Sequence, residues 1–191
     1  SLSVTSCWDE NLPEAGAARH QVTDLKAVPG DEEALLSWSV PEGWNPTEYI
    51  IKYTEGDEIT LRTSEKSYTV TGLTNGETYT FDVQAVYGDL ISGAVSAVVK
   101  PATSRFAVAD LAAEGSANMV ILTWTKPSTN VTSYTLTYSS ENTEAQEISI
   151  EADKVTYTVD DLENDVIYTF SLVANYAKGP SEPAVAKAMP A

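Results

Sequence analysis

The 191-residue chain predicts an all-β protein of two tandem antiparallel sandwiches, seven strands in each, set end to end. Three observations carry that expectation. One ordered set of residues occurs twice along the chain. Apolar and polar residues alternate in short runs rich in Val, Ile, Thr and Tyr, the composition of half-buried pleated surfaces. Turn residues interrupt those runs roughly every 8–12 residues, the spacing of an antiparallel sandwich.

The repeat sets the organisation. Val22-Thr23-Asp24-Leu25-Lys26-Ala27 recurs 86 residues later as Val108-Ala109-Asp110-Leu111-Ala112-Ala113. At the same offset Leu35-Leu36-x-Trp38-x-x-Pro41 recurs as Ile121-Leu122-x-Trp124-x-x-Pro127. Tyr49 and Tyr53 recur as Tyr134 and Tyr138 at an offset of 85, and Leu73 and Tyr79 as Leu162 and Tyr168 at 89. The change from 85 to 89 puts a four-residue insertion in the second copy, between Tyr138 and Leu162. A period this long means two whole domains rather than a solenoid.

Each strand of the first copy follows from pattern and punctuation. A run over 21–28 stops at Pro29-Gly30-Asp31, and alternation over 33–40 stops at Pro41-Glu42-Gly43. The tyrosine-bearing run 47–55 turns at Glu55-Gly56-Asp57 into 58–63. Short polar-apolar alternation marks 67–71, ahead of Asn75-Gly76. The longest alternation, 78–87, ends at Tyr87-Gly88-Asp89, and 94–100 completes the set.

Composition narrows function by exclusion. Lys and Arg total 11 against 28 Asp and Glu, a net charge of −17. A nucleic-acid partner is not expected, because phosphate binding needs a basic footprint. Nor is docking on anionic lipid through a polybasic surface. One histidine, His20, and one cysteine, Cys7, are too few for a structural zinc site or a base-assisted nucleophile. The nucleophile-elbow, zincin, phosphate-loop and dinucleotide-binding motifs are missing, as is the D-x-[DN]-x-[DN]-G calcium loop. A carboxylate-pair glycosidase leaves no motif, yet it needs a cleft that small packed sandwiches rarely provide. No enzyme activity, cofactor or metal is expected. No run of 18 apolar residues occurs, and the Asn130-Val131-Thr132 sequon is of a kind chance supplies in a Thr-rich chain.

These residues resemble the fibronectin type III family. The resemblance rests on the second-strand tryptophans Trp38 and Trp124, the third-strand tyrosines Tyr49, Tyr53, Tyr134 and Tyr138, and the Leu-x5-Tyr corners Leu73/Tyr79 and Leu162/Tyr168. It implies two immunoglobulin-like sandwiches, over 21–102 and 106–191, joined by a linker at 103–105. It also implies that Trp38, Tyr53, Leu73, Tyr79, Trp124, Tyr138, Leu162 and Tyr168 are core residues. The Tyr79 and Tyr168 hydroxyls should bond back to the connection between the fifth and sixth strands.

Residues 1–20 belong to neither copy and read as a tether, with His20 away from any pocket. Val4-Thr5-Ser6-Cys7 is similar to the end of a bacterial lipobox, with Cys7 as the lipidation candidate; the alternative is an incidental free cysteine. The expected location is extracellular or cell-surface, including an outer-membrane lipoprotein.

Recognition is expected at the chain-entering end of the first domain. There the loop Pro41-Glu42-Gly43-Trp44-Asn45-Pro46 and the turn Tyr87-Gly88-Asp89-Leu90-Ile91 would gather. Trp44 has no counterpart in the second copy and could stack on a sugar or anchor a protein partner. Asn45, Tyr87, Asp89 and Leu90 complete the candidate ligand-binding set. Alternatively, Trp44 folds over its own loop or is covered by the tether around Trp8. Tyr87 in place of Arg before Gly88-Asp89 removes the integrin-binding motif. Two functions remain: a monomeric adhesion or ligand-binding module for protein or polysaccharide at the cell surface, and a spacer holding another domain off the membrane, in a glycan-processing system among others. Lipid on Cys7 would turn the Trp44 end toward the membrane and so favour the spacer.

Overall fold

The computed structural model describes residues 20–191, which divide into two compact units between Ser104 and Arg105. Among the described residues there is no helix. The lipobox-like run, Cys7 and Trp8 lie outside the described residues.

The first domain holds β1 (Thr23–Gly30), β2 (Glu33–Ser39), β3 (Glu48–Glu55), β4 (Asp57–Thr63), β5 (Ser67–Thr71), β6 (Tyr79–Tyr87), β7 (Leu90–Ile91) and β8 (Val95–Val99). One sheet runs β1-β2-β5; the other runs β4-β3-β6, with β7 and β8 both paired to β6. The second domain repeats the plan with β9 (Ala109–Ser116), β10 (Met119–Thr125), β11 (Ser133–Ser139), β12 (Gln146–Glu151), β13 (Thr156–Val159), β14 (Tyr168–Tyr176), β15 (Gly179–Pro180) and β16 (Ala184–Ala188). Its sheets are β13-β10-β9 and β12-β11-β14, again with two short strands on β14. Every pairing is antiparallel.

The alternation read from sequence is the alternation of burial. In β6, Tyr79, Phe81, Val83 and Ala85 face the core; in β14, Tyr168, Phe170, Leu172 and Ala174 do. Trp38 stands edge-on to Tyr49 with centroids 5.2 Å apart, and Trp124 to Tyr134 at 5.3 Å. Tyr53 packs on Phe81 at 5.0 Å and Tyr138 on Phe170 at 5.9 Å. Leu73 and Leu162 are buried, and Tyr138 is half-buried against its core. Burying one such large apolar side chain stabilises by roughly 1.5–3 kcal/mol, so these aromatics dominate each domain's cohesion. The Thr74 N–H donates to the Tyr79 hydroxyl at 2.9 Å, and the Glu163 N–H to the Tyr168 hydroxyl at 3.0 Å. Each bond ties the buried ring to the loop before its strand.

A two-residue strand precedes the last expected strand of each copy, β7 before β8 and β15 before β16. Buried Ser92 separates β7 from β8: its N–H donates to the Ala85 carbonyl at 2.9 Å, and its Oγ accepts the Ala85 N–H at 2.8 Å. Ser181 repeats both bonds with Ala174, at 2.8 and 3.0 Å. A side-chain oxygen thus stands in for a ladder carbonyl, and the edge strand kinks without orphaning a buried donor. The extra residues of the second copy fall in the connection 140–145, which replaces the single Gly56 of the first.

Aspartate marks a second irregularity in both copies. The register of β1 against β2 shifts between Thr23 and Lys26, where Asp24 has φ 53°; Asp110 has φ 56° at the matching shift in β9. Aspartate tolerates this left-handed region better than most residues, and the Asp110 carboxylate also accepts from Thr125 Oγ1 at 3.1 Å.

Candidate functional site

Three aromatic rings meet at one end of the first domain. His20, read as tether, instead lies 3.7 Å from Trp44 and 5.1 Å from Tyr87, centroid to centroid. Trp44 and Tyr87 stand edge-on at 6.2 Å. The Tyr87 hydroxyl donates to the His20 carbonyl at 2.8 Å, which fastens the incoming chain to the end of β6. The second domain is built the same way: the Tyr176 hydroxyl makes the same bond to the Phe106 carbonyl at 2.6 Å. His20 therefore occupies a position belonging to the sandwich. Comparison of the copies carried the signal, because His20 and the aromatic Phe106 are 86 residues apart.

The local sequence presents Trp44. Its N–H donates to the Pro41 carbonyl at 3.2 Å, closing a turn whose third residue, Gly43, has φ 87°. That is a type II turn, which requires glycine there. Pro46 then holds Asn45 toward extended backbone. The Thr47 N–H donates to the Val86 carbonyl at 2.8 Å, setting this loop beside the end of β6. The result is a tryptophan braced by two neighbouring rings and still 45% exposed.

The structure brings Trp44 and Tyr87 together and places the other candidates nearby in the fold. Asn45 is exposed next to Trp44. Asp89 is exposed in the two-residue turn between β6 and β7, and half-buried Leu90 pairs with Tyr87 across it. Ile91, 45% exposed, extends the apolar surface of that hairpin. Burial pushes the Tyr87 phenol above its ordinary value, with a further contribution from Tyr49. Tyr87 thus remains a neutral hydrogen-bond donor at physiological pH. The charged groups of the two loops, Glu42 and Asp89, are acidic. No group of three or more His, Cys, Asp or Glu side chains among the described residues could hold a metal.

A second recess belongs to the other domain. The long 140–145 connection, with Val166, exposed Ile167 and Lys187, borders an open concavity of about 520 Å³. It has no aromatic lining residue.

Asp31 stands out only in the structure, where it is 5% exposed. Its carboxylate accepts from Asn75 Nδ2 at 2.9 Å, from the Ser104 N–H and Oγ at 3.1 and 3.2 Å, and from Thr103 Oγ1 at 3.4 Å. It fastens residues 103 and 104 to the first domain, and Ala117 stands at the repeat-equivalent position in the second.

Two sandwiches of this topology, each with a Trp core and a tyrosine corner, define an immunoglobulin-like pair. The model of the fibronectin type III domain matches residues 20–101 and 106–187, and the chain belongs to that family. It is 32% identical over 149 residues to Tenascin-N of Mus musculus, covering 75% of this chain and 9% of that protein. It is likewise 32% identical over 162 residues to receptor-type tyrosine-protein phosphatase eta of Gallus gallus, covering 83% of this chain and 11% of that one. A two-domain fibronectin type III segment from chicken tenascin aligns over 88% of this chain and 99% of its own, at 19% identity and TM-score 0.47. The chain spans about a tenth of the length of the curated relatives it matches.

Proposed function

We propose that the chain is a non-catalytic extracellular module for adhesion or ligand binding, with its recognition surface at the Trp44 end of the first domain. One observation carries the reading: Trp44 is held by a glycine-dependent turn and two neighbouring rings while nearly half its surface stays exposed. A large, prearranged aromatic makes a strong anchor because little conformational entropy is lost on contact. Asn45, Tyr87, Asp89 and Leu90 frame it, and the acidic loop charges suit a neutral glycan or a cationic protein face. Family membership with tenascin-like proteins supports adhesion in general terms. Lipid on Cys7, for which the Val4-Thr5-Ser6-Cys7 run speaks, would turn the Trp44 end toward the membrane and so belongs with the spacer reading below.

A screen of the chain against immobilised matrix proteins and polysaccharides, run beside Trp44→Ala, tests the reading. Saturable binding that the variant loses supports it. Binding indifferent to Trp44 removes the site from this end.

The second reading is a spacer presenting another domain, and Asp31 is the observation favouring it. A buried carboxylate holding the chain through Ser104 stiffens the segment that leaves the first domain. Failure to bind any surface ligand would put this reading first.

A further inference from the structure

The free edge of β4 carries a sequence complementary to itself. β4 is the terminal strand of its sheet and pairs with β3 through seven consecutive residue pairs, from Tyr49 with Thr63 to Glu55 with Asp57, with no register shift. Among the described residues its backbone makes no hydrogen bond beyond that pairing, and it contains no proline. The first domain's other edges are shorter or interrupted: β5 offers five residues. β1 shifts register at Asp24 and contains Pro29, and the outer side of β6 is broken by the Ser92 kink. An unbroken edge of seven residues is a template for another strand.

We propose that this edge docks on β4 of a second copy of the chain, in an antiparallel pair centred on Thr60. The sequence Asp57-Glu58-Ile59-Thr60-Leu61-Arg62-Thr63 then reads against itself. Glu58 lies opposite Arg62 twice, Ile59 opposite Leu61 twice, Thr60 opposite Thr60, and Asp57 opposite Thr63. The faces agree as well. Ile59 and Leu61 are half-buried on the core side, and Glu58, Thr60 and Arg62 are exposed on the other. Directly opposed unlike charges and apolar pairs stabilise antiparallel strands, and a two-fold axis makes each favourable pair count twice. Arg62 already donates to Glu48 at 2.5 Å with its side chain 56% exposed, and its remaining guanidinium donors are free to meet Glu58 of the second copy.

The second domain makes the contrast. Its terminal strand β12 reads Gln146-Glu147-Ile148-Ser149-Ile150-Glu151. The self-pairing that sets Ile148 opposite Ile150 sets Glu147 opposite Glu151, a like-charge clash at both ends. The same open edge is thus self-complementary in one domain and self-repelling in the other. The monomer expected from sequence is the dilute state. A charge of −17 on each chain opposes pairing until salt screens it, which at about 0.15 M leaves a reach of roughly 8 Å. Directly opposed side chains still interact within that distance.

Sedimentation equilibrium of the full chain at about 0.15 M salt tests this with Glu58→Arg and Arg62→Glu. Wild type should show a reversible monomer–dimer equilibrium, and either single variant should weaken it about tenfold or more, because two attractive pairs become repulsive. Mixing the two variants in equal amounts should restore dimers. One chain then presents basic side chains at positions 58 and 62, and the other presents acidic ones at both. Melting curves of each variant alone confirm that it is folded. A wild type monomeric up to about 1 mM, a variant dimerising as well as wild type, or a mixture that stays monomeric would each overturn the pairing.

Discussion

At Tyr79 and Tyr168 one hydroxyl does two jobs: it satisfies a loop N–H and fixes how a buried ring enters its strand. Tyr79→Phe keeps the ring and leaves the Thr74 N–H without its partner, so the first domain should lose about 1–2 kcal/mol in urea unfolding. An unchanged midpoint would show that water replaces the hydroxyl fully. Five other tyrosines, Tyr49, Tyr53, Tyr87, Tyr138 and Tyr176, have phenols pushed above the ordinary value of 10.0, in each case chiefly by burial. In the unfolded chain these groups ionise near pH 10; in the folded chain they hold their protons longer. The stability they contribute is complete below about pH 10 and is lost as pH rises through the folded values. Urea midpoints should therefore fall between about pH 9 and pH 11, and fall less in a Tyr53→Phe, Tyr138→Phe double variant. His20 shows how a residue escapes a reading by pattern. Its ring packs on Trp44 through a contact 24 positions away that alternation cannot encode.

Elements were more legible than their joints. Alternation located the long strands within one or two residues, because one face of each must be apolar and the other need not be. The two-residue strands β7 and β15 offer no alternation to read, and the kinks between them and their continuations depend on a single serine each. Ser92 and Ser181 are 89 residues apart, the same offset as the tyrosine corners, so the repeat did carry a trace of them. Gly115 in β9 makes a different kind of joint. A Cβ there would meet the Met189 carbonyl oxygen at 2.1 Å, and that contact is backbone that cannot swing aside. Gly115→Ala should destabilise the second domain by about 1–3 kcal/mol, the usual cost of overpacking, and leave the first domain's melting unchanged. Equal melting of wild type and variant would mean that the 189–190 segment gives way without cost.

Across the whole molecule, duplication is what made the sequence readable. Two copies of one pattern allow each difference between them to be asked for a reason: Trp44 without a counterpart, Asp31 against Ala117, the 140–145 connection against Gly56, and the β4 edge against β12. The fold followed from what the copies share, since packing constrains both alike. The candidate site centres on Trp44, which the second copy lacks, beside Tyr87, which that copy keeps as Tyr176. Affinity at such a surface rests on a few anchors rather than on contact area, so a single side chain can carry the test.

That test is an equilibrium titration of wild type and Trp44→Ala against whichever surface ligand binds the chain most tightly, with both proteins shown to melt alike. A binding module anchored at this end predicts at least about a tenfold loss of affinity in the variant, roughly 1.4 kcal/mol. Equal affinities would contradict it and leave Trp44 as a brace for His20 and its own loop.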